Sequence, residues 1–290
     1  MLEDDDGTMV ATSSFESTKT PKIVDIGNEK AIDIASGSHH IVILTDIGNV
    51  YTFGEGSKGQ LGRIKLENLE SIKSKREIFL RPHIVTFKRL ELSEKVNKIF
   101  AGQWSSYAVT NLGNLYAWGL NNFYQLGFET TSTIVLPSQP DVKYCFELMP
   151  VKVSLNFRVQ QVSLGQQHLL LLDNDGKVYS CGNGVYGRLG LSKISSNRSA
   201  QDFKTPQLIE KERFQDEEIS SIACGDFFSL ALSKNGHVYA WGQASGAIGC
   251  KGDSDDIFRP RRYTGPVVNS YRITQISAGS GFAAFIGERN

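Results

Sequence analysis

Apolar residues along this chain gather in short runs of strand length, and glycine-containing turns separate the runs. One such run is Val50-Tyr51-Thr52-Phe53, and β-branched and aromatic runs of this kind favour β-strands. The turn before it, Asp46-Ile47-Gly48-Asn49, has glycine in third place, where it supplies the positive φ of a type I turn with a G1 bulge. The pattern therefore predicts antiparallel hairpins. No convincing helical period appears, although residues 66–79 could hold one or two helical turns.

The same pattern occurs four times, and a fifth copy is partial. From Gly37 to Gly48 is 11 residues, the next glycine follows after 6, and the last step is 8 residues in three copies and 7 in the fourth. Such constant spacing is the signature of a repeat protein. The repeat cores are residues 34–62, 99–127, 162–190 and 222–249, with the partial copy at 276–287.

Two further runs belong to each repeat. One lies directly before the first glycine, as in residues 30–35, and the other starts with proline further upstream, as in Pro150-Val151-Lys152-Val153. Proline has no amide donor, so we expect this fourth strand at a sheet edge. Four short antiparallel strands in every 54–65 residues describe a propeller blade. The other proline-led runs are residues 21–24, 82–85 and 206–209.

Composition and charge exclude several classes of function. The 290 residues carry a formal net charge of +0, which gives no electrostatic case for nucleic acid or an anionic membrane. No apolar run approaches the roughly 20 residues that span a bilayer. The acidic start, MLEDDDGTMV, is unlike a secretory signal. The four cysteines form no CxxC pair, which argues against a zinc site and suits reduced thiols in a reducing compartment.

Several motifs look like chemical sites but have a simpler interpretation. Residues 54–59 and 182–187 fit the GxGxxG pattern, yet no helix follows to face a pyrophosphate. His40 and His168 share a repeat position with Phe228, which favours a packed or hydrogen-bonding role over metal binding. No Ser/His/Asp or Cys/His set shares one local frame. We therefore expect no catalytic residue, no metal and no cofactor.

The repeat, GxxHxxxLTxxGxVYxFGxxxxGQLG, resembles that of the regulator of chromosome condensation family over nearly the whole chain. All four copies have the two hairpin glycines and a terminal Leu-Gly or Ile-Gly. The insertion at residues 63–81 resembles that of the family's exchange factor for the small GTPase Ran. The stretches NNFYQLG (121–127), YGRLGL (186–191) and VYAWG (238–242) are similar to the later blades of that branch.

This resemblance implies an all-β fold, namely a β-propeller with seven blades, of which the chain supplies an incomplete arc of about four to five blades. Residues 1–20 would be a remnant of a preceding blade with a wedge-like loop that presses on the GTPase. Residues 21–290 would form a single propeller-arc domain. The strand that closes the family's ring against the final blade is missing, so we predict an open arc with two unpartnered ends.

The resemblance also implies a mechanism without covalent chemistry, in which one face binds Ran more tightly when Ran lacks nucleotide. No small-molecule substrate and no membrane are expected. The family's catalytic acid and histidine stand two residues after the first glycine, where this chain has His39 and Gln167, so those roles are not carried over. The predicted partner-binding residues lie in the wedge and in the loops after each first glycine: Asp4, Asp5, Asp6, Gly7, Thr8, Ser38, His39, Gln103, Trp104, Gln166, Gln167, Asp226 and Phe227.

A nuclear location, and contact with chromatin or histones through the parent protein, are implied by the same resemblance. The alternative is a non-catalytic propeller scaffold for protein–protein interaction. We expect Trp104 and His39 to be solvent-accessible on one face of the arc, because tryptophan is favoured at interface hot spots. We expect Phe53, Trp118 and Trp241, which end equivalent strands, to pack between adjacent blades.

Overall fold

The computed structural model describes residues 2–3, 9–10, 26–63, 84–130, 133–136, 139–191, 201–244, 248 and 256–290. Four features predicted from the sequence lie outside these ranges: the wedge loop at residues 4–8, the proline-led run at 21–24, the insertion from residue 64 to 81, and Cys250. In the described part of the chain, no helix is long and apolar enough to cross a membrane.

Regular structure in the described ranges is almost entirely antiparallel β-sheet, which confirms the all-β prediction. A two-stranded hairpin comes first, formed by β1 (Leu2–Glu3) and β2 (Met9–Val10). Sheets of four or five strands follow, and we number them as blades in chain order. Blade 1 contains β3 (Ala31–Ser36), β4 (His40–Thr45), β5 (Val50–Gly54) and β6 (Ile84–Arg89), and blade 2 contains β7 (Val96–Ala101), β8 (Ser105–Thr110), β9 (Leu115–Leu120), β10 (Thr133–Leu136) and β11 (Gln139–Lys152).

Blades 3 and 4 have four strands each, and a partial blade 5 has two in the described residues. Their strands are β12 (Val159–Leu164), β13 (His168–Asp173), β14 (Val178–Gly182), β15 (Phe203–Ile209), β16 (Ile219–Cys224), β17 (Phe228–Ser233), β18 (Val238–Gly242), β19 (Ile257–Arg262), β20 (Tyr271–Ala278) and β21 (Ala283–Arg289). Short 3-10 helices occur at Val185–Gly187, Lys211–Phe214 and Val268–Ser270. The number of blades agrees with the number of repeats in the sequence.

The hairpin turns have the predicted glycine geometry. Gly48 adopts a φ of 77°, and Gly113, Gly176 and Gly236 adopt values of 75–84°. Each turn also contacts the next blade, as when Val96 N donates to Gly48 O at 3.1 Å. A Cβ at position 48 would lie 3.0 Å from Val96 O. Glycine is therefore required both by the backbone conformation and by the close approach of the neighbouring blade.

The proline-led strand completes the blade that precedes it, not the repeat that follows it. β15 pairs with β14 and is outermost in blade 3. The half of β11 that contains Pro150, from Phe146 to Lys152, pairs with β9 and is outermost in the described sheet, because β10 pairs only with the first half of β11. β19, which contains Pro260, pairs with β18 and is outermost in blade 4. The prediction of an edge position is confirmed, whereas its assignment to the following repeat is wrong. The third strand of each core has a free outer edge, and the segment after the core returns along it. Pro150, Pro206 and Pro260 each lie in a register shift of the ladder, where an amide donor is not needed.

The hydrophobic core lies between blades. Trp118 is fully buried against Val42 and Leu44 of the preceding blade, and Trp241 is buried in the same way against blade 3. Cys181 occupies the equivalent place between blades 2 and 3. The packing predicted for Trp118 and Trp241 is confirmed, while Phe53 in blade 1 is only half-buried. Cys181 and Cys224 are buried free thiols, as predicted. Burial raises the pKa of each thiol above its ordinary range.

Two buried histidines join neighbouring blades. His40 Nε2 lies 2.8 Å from Ser106 Oγ, and that hydroxyl donates to Gln60 O at 2.8 Å. Because the serine proton goes to the carbonyl, Nε2–H must donate to the serine. His168 and Ser229 repeat the arrangement, and in both rings Nδ1 has no hydrogen-bond partner within the described ranges. Both histidines are thus hydrogen-bonding blade residues, as predicted.

We expect these histidines to make stability fall below neutral pH. Burial lowers the pKa of His168 to about 3 and that of His40 to about 4, whereas the unfolded chain titrates near 6.5. The unfolded state binds more protons below that value, so stability is full above about pH 6.5 and falls as the pH drops. Between about pH 7 and pH 5, each histidine should lower the free energy of unfolding by about 2 kcal/mol.

The matched variant is His168→Phe, because Phe228 already occupies this position in blade 4. Urea unfolding at the two pH values measures the decrease in the free energy of unfolding. In the variant this decrease should be about half of the part that both histidines cause in the parent, since His40 remains. Equal losses in the parent and the variant would contradict the assignment.

The arc is open, and its two end surfaces expose residues that are core elsewhere. Ile34 is 64% exposed, although its counterparts Ile99 and Val162 are buried against a preceding blade. Phe282 is 66% exposed, whereas its counterpart Phe228 is buried against the following blade. Among the described strands, none from the N-terminal blades pairs with β20 or β21. In the part of the chain that the structure describes, no strand covers these end surfaces as a neighbouring blade covers each internal one.

Candidate functional site

The first two strands of each blade are joined by a tight turn that begins at the first glycine of the repeat. Gly37 N donates to His40 O at 2.9 Å, and the turns of the other blades have the same bond. A Cβ at position 37 would lie 2.2 Å from His40 Cε1 and 2.4 Å from Gly102 O. Glycine is needed here because the fourth residue folds over it and the next blade approaches it. The two residues between are thereby pushed outward on one face.

These turns are bonded to one another across three of the four blade boundaries in the described residues. Ser38 N donates to Gln103 O at 3.2 Å, Gln166 N donates to Asp226 O at 3.3 Å, and Asp226 N donates to Ser280 O at 3.0 Å. The turns also accept bonds from the segment after the third strand, as from Glu55 N to His39 O at 2.8 Å. The turns lie on the same side of the arc, and we call this surface the loop face. It comprises residues 37–39, 102–104, 165–167 and 225–227 with the adjoining segments after the third strands.

Eight of the predicted partner-binding residues lie on the loop face, and the five of the wedge lie outside the described residues. Ser38 and His39 are exposed, and the other six are half-buried: Gln103, Trp104, Gln166, Gln167, Asp226 and Phe227. The repeat therefore brings together the residues that the sequence analysis grouped by their position after the first glycine. Their role in binding a partner stays a prediction.

Trp104 is less accessible than expected because it stacks on its neighbour. The rings of His39 and Trp104 lie 5.0 Å apart between centroids, with an interplanar angle of 19°. His39 belongs to blade 1 and Trp104 to blade 2. Glu55 Oε2 lies 3.9 Å from His39 Nδ1. Stacking joins the exposed His39 ring and the half-buried Trp104 ring into one aromatic surface. Ordering these side chains on binding then costs less conformational entropy.

A second aromatic group on the loop face was missed by the sequence analysis. Phe227 and Tyr186 meet edge to face at 5.8 Å, and the Arg188 guanidinium lies 4.9 Å from the Phe227 ring and 5.5 Å from the Tyr186 ring. Arg188 is almost fully buried, and its Nε donates to Val185 O at 2.9 Å. Such cation–π contact holds the two rings in place. The available signal was an arginine at the place where Gln60 stands in blade 1.

The two positions that correspond to the family's acid and histidine are both held by neighbours. Gln167 Oε1 accepts a hydrogen bond from Asn183 Nδ2 at 3.1 Å, and Gln167 O accepts another from Asn183 N at 2.9 Å. His39 lies beside Glu55 and Trp104. In the described ranges, no three His, Cys, Asp or Glu side chains lie close enough to hold a metal ion.

A hairpin rises beside the loop face from the outer rim of blade 2. β11 pairs with β9 from Phe146 to Lys152, and its first half extends beyond the sheet to pair with β10. Lys58 Nζ lies 4.1 Å from the centre of the Tyr144 ring, so the base of the hairpin contacts the tail of blade 1. No repeat signal marks this element, because it lies in the variable segment between repeat cores.

Polar groups on the opposite face bond to one another within each blade. Hydrogen bonds from Asn114, Thr110 and Lys152 lower the pKa of Glu94 to about 2. In blade 4, Glu217 accepts a bond from His237 Nδ1 at 2.6 Å. These carboxylates fasten the hairpin turns. The opposite face is therefore a structural surface, and the loop face is the better candidate for binding.

Comparison with known proteins agrees with this geometry. The RCC1-like domain matches residues 3–285. The chain is 30% identical over 283 residues to the regulator of chromosome condensation of Mus musculus, covering 96% of this chain and 62% of that protein. It is also 30% identical over 278 residues to the E3 ubiquitin-protein ligase HERC2 of Homo sapiens, covering 93% of this chain and 5% of that protein.

Among solved structures, the chain is similar to Prp20p from Saccharomyces cerevisiae, a protein described with its binding properties to Gsp1p and histones. The sequence identity is 25% and the TM-score 0.75, covering 94% of this chain and 59% of that one. This likeness confirms the propeller arc. The chain spans less than two thirds of the length of the regulators of chromosome condensation that it matches.

Proposed function

The chain belongs to the RCC1-like domain family, and from that membership we propose that it is a guanine nucleotide exchange factor for the small GTPase Ran, or part of one. The observation that carries the proposal is the loop face. It brings together the equivalent turns of four blades, and it presents half-buried aromatic side chains. Such a surface suits the binding of another protein. A nuclear location follows from the same proposal.

The proposed mechanism is differential binding. The loop face binds the nucleotide-free GTPase more tightly than the nucleotide-bound form. By thermodynamic linkage, the chain must then weaken nucleotide binding by the same factor. The residues proposed to contact the GTPase are those of the loop face and of the wedge at residues 4–8. With His39 and Gln167 in place of an acid and a histidine, the acceleration should be weak compared with that of a relative that has both groups.

The test is release of labelled GDP from purified Ran, combined with measured binding to nucleotide-free Ran. We expect release to accelerate with added chain. Trp104→Ala should weaken binding to nucleotide-free Ran by at least about tenfold, as for an interface hot spot. Leu112→Ala is the matched control, because Leu112 is an exposed apolar residue on the opposite face and should have no effect. Equal effects of the two variants would contradict the assignment of the loop face.

A second candidate function is a binding scaffold without exchange activity. It is favoured by the side chains at positions 39 and 167 and by the similarity to a ubiquitin ligase, in which this domain is a small part of a larger protein. The two candidates differ in one result. Binding to Ran without faster GDP release supports the scaffold. Absence of any binding to Ran excludes the exchange factor and leaves a scaffold for another protein.

A further inference from the structure

The turn that follows the third strand differs between blade 3 and the two blades before it. In blade 1, Lys58 N donates to Gln60 Oε1 at 2.8 Å, so a side chain two residues later caps the turn. In blade 2, Phe123 N donates to Gln125 Oε1 at 2.9 Å in the same way. Blade 3 has Arg188 at this place of the repeat, and an arginine side chain has only N–H donors. An arginine therefore cannot accept this hydrogen bond.

The peptide between Val185 and Tyr186 is turned over as a consequence. Arg188 Nε donates to Val185 O at 2.9 Å, whereas in blades 1 and 2 the N–H of the corresponding peptide is bonded. Tyr186 adopts a φ of 64° and a ψ of 9°, while the corresponding residues of blades 1 and 2 do not have a positive φ. Gly187 N still donates to Gly184 O at 3.1 Å. This difference separates a type I turn from a type II turn, which normally has glycine at the position of Tyr186.

The turned peptide changes the direction in which the side chain of residue 186 leaves the turn. In blade 1, the corresponding Lys58 extends to the outer rim, where its Nζ lies 4.1 Å from the centre of the Tyr144 ring. Tyr186 instead meets Phe227 edge to face, with 5.8 Å between the ring centroids. Phe227 belongs to the blade 4 turn of the loop face, so the turned peptide brings Tyr186 to that face.

The arginine that causes this arrangement costs stability. Arg188 is only 1% exposed, and its Nη1 has no hydrogen-bond partner within the described ranges. Burial lowers the pKa of its guanidinium, although the charges of Asp202 and Asp226 oppose that shift. A buried charge with an unmade bond and a strained Tyr186 both cost free energy, of which the cation–π contacts offset a part. A glutamine, as at position 60, would avoid the buried charge and the strained backbone.

We propose that Arg188 is a positioning residue, which holds the peptide before Tyr186 turned over and thereby makes Tyr186 and Phe227 a contact site for the GTPase. Val185 and Tyr186 are each 38% exposed, and Phe227 is half-buried beside them. Large aromatic residues are favoured at interface hot spots. The identity of the partner rests on the proposed function, whereas the positioning of Tyr186 does not.

Crystal structures of the parent and two variants test the positioning. Arg188→Gln restores the side chain of blades 1 and 2, and it keeps the backbone carbonyl that accepts bonds from Ser229 Oγ and Trp241 Nε1. We expect a negative φ at Tyr186, its N–H bonded to the new amide, and its ring away from Phe227. Arg188→Lys keeps a donor and should keep the positive φ. A positive φ in the first variant, or a negative φ in the second, would overturn the positioning.

A double-mutant cycle tests the contact, with affinity for nucleotide-free Ran as the measured quantity. Arg188→Gln and Tyr186→Ala should each weaken binding by about tenfold, as at an interface hot spot. The double variant should also lose about tenfold and not about a hundredfold, because Arg188 acts through Tyr186. A merely structural effect of Arg188 would multiply with that of Tyr186.

Lys177→Gln is the matched control, because it removes one positive charge from an exposed hairpin turn of the same blade and should leave the affinity unchanged. Multiplying effects of the two variants, or an Arg188→Gln variant that binds like the parent, would overturn the contact site. If the parent itself does not bind Ran, the proposed function fails and the contact with the GTPase fails with it. The crystal structures then still decide whether Arg188 positions Tyr186.

Discussion

Replacing Trp118 by alanine is expected to lower the free energy of unfolding by ~3–5 kcal/mol. Trp118 is fully buried between blades 1 and 2, where it packs on Val42 and Leu44. Its Nε1 donates to Gln60 O at 2.9 Å, so the ring also anchors the tail of blade 1. Truncation leaves a cavity that the sheets on both sides cannot fill, because their backbones are fixed by ladder hydrogen bonds.

Denaturant unfolding of the parent and the variant measures this effect. Trp104→Ala is the matched control, because it removes the same side chain from the half-buried loop face and should cost less than about 1.5 kcal/mol, the worth of an aromatic pair. Trp118→Phe keeps one buried ring but removes the hydrogen bond and the volume of the second ring. The lost hydrogen bond should cost about 1 kcal/mol, and the lost volume should add to that cost. If Trp118→Ala unfolds at the same denaturant concentration as the parent, the blade interface does not depend on this residue.

The isolated chain is expected to self-associate, and lysine at the end surfaces should make it monomeric. Ile34 occupies the position of core residues that face a preceding blade, and Phe282 and Ile286 occupy positions that face a following blade. Each end is therefore one half of the interface that recurs between neighbouring blades. The two halves differ, so contacts between copies are head-to-tail and need not close into a dimer. Exposed apolar surface of this kind favours association.

Light scattering coupled to size exclusion should show a mean mass that rises with concentration. The combined variant Ile34→Lys and Phe282→Lys should reduce the mass to that of one chain, 32.0 kDa. Leu112→Lys, which places the same charge at an exposed apolar residue of a hairpin turn, should leave association unchanged. A monodisperse parent monomer, with blade 1 and partial blade 5 in contact by solution scattering, would exclude the open arc.

The repeat alone determined the local structure. Glycine spacing fixed the hairpins, because only glycine accepts the positive φ at Gly48 and the crowded turn at Gly37. Runs of β-branched and aromatic residues fixed the strands, since such side chains pack well on a pleated surface. Equivalent places in the repeat must occupy equivalent places in the blade. The positions of Trp118 and Trp241 in the core, and of Trp104 and Phe227 on one face, were therefore predictable.

Only the tertiary structure decided which blade takes the proline-led strand and which side chains meet across blades. The proline-led run lies between two cores in the sequence, and the choice depends on which sheet has a free edge in space. The contact of Arg188 with Phe227 joins residues of different repeats, as does that of His39 with Trp104. Repeat spacing describes each unit by itself. It contains no information on the rotation between units, and that rotation sets the distances between their side chains.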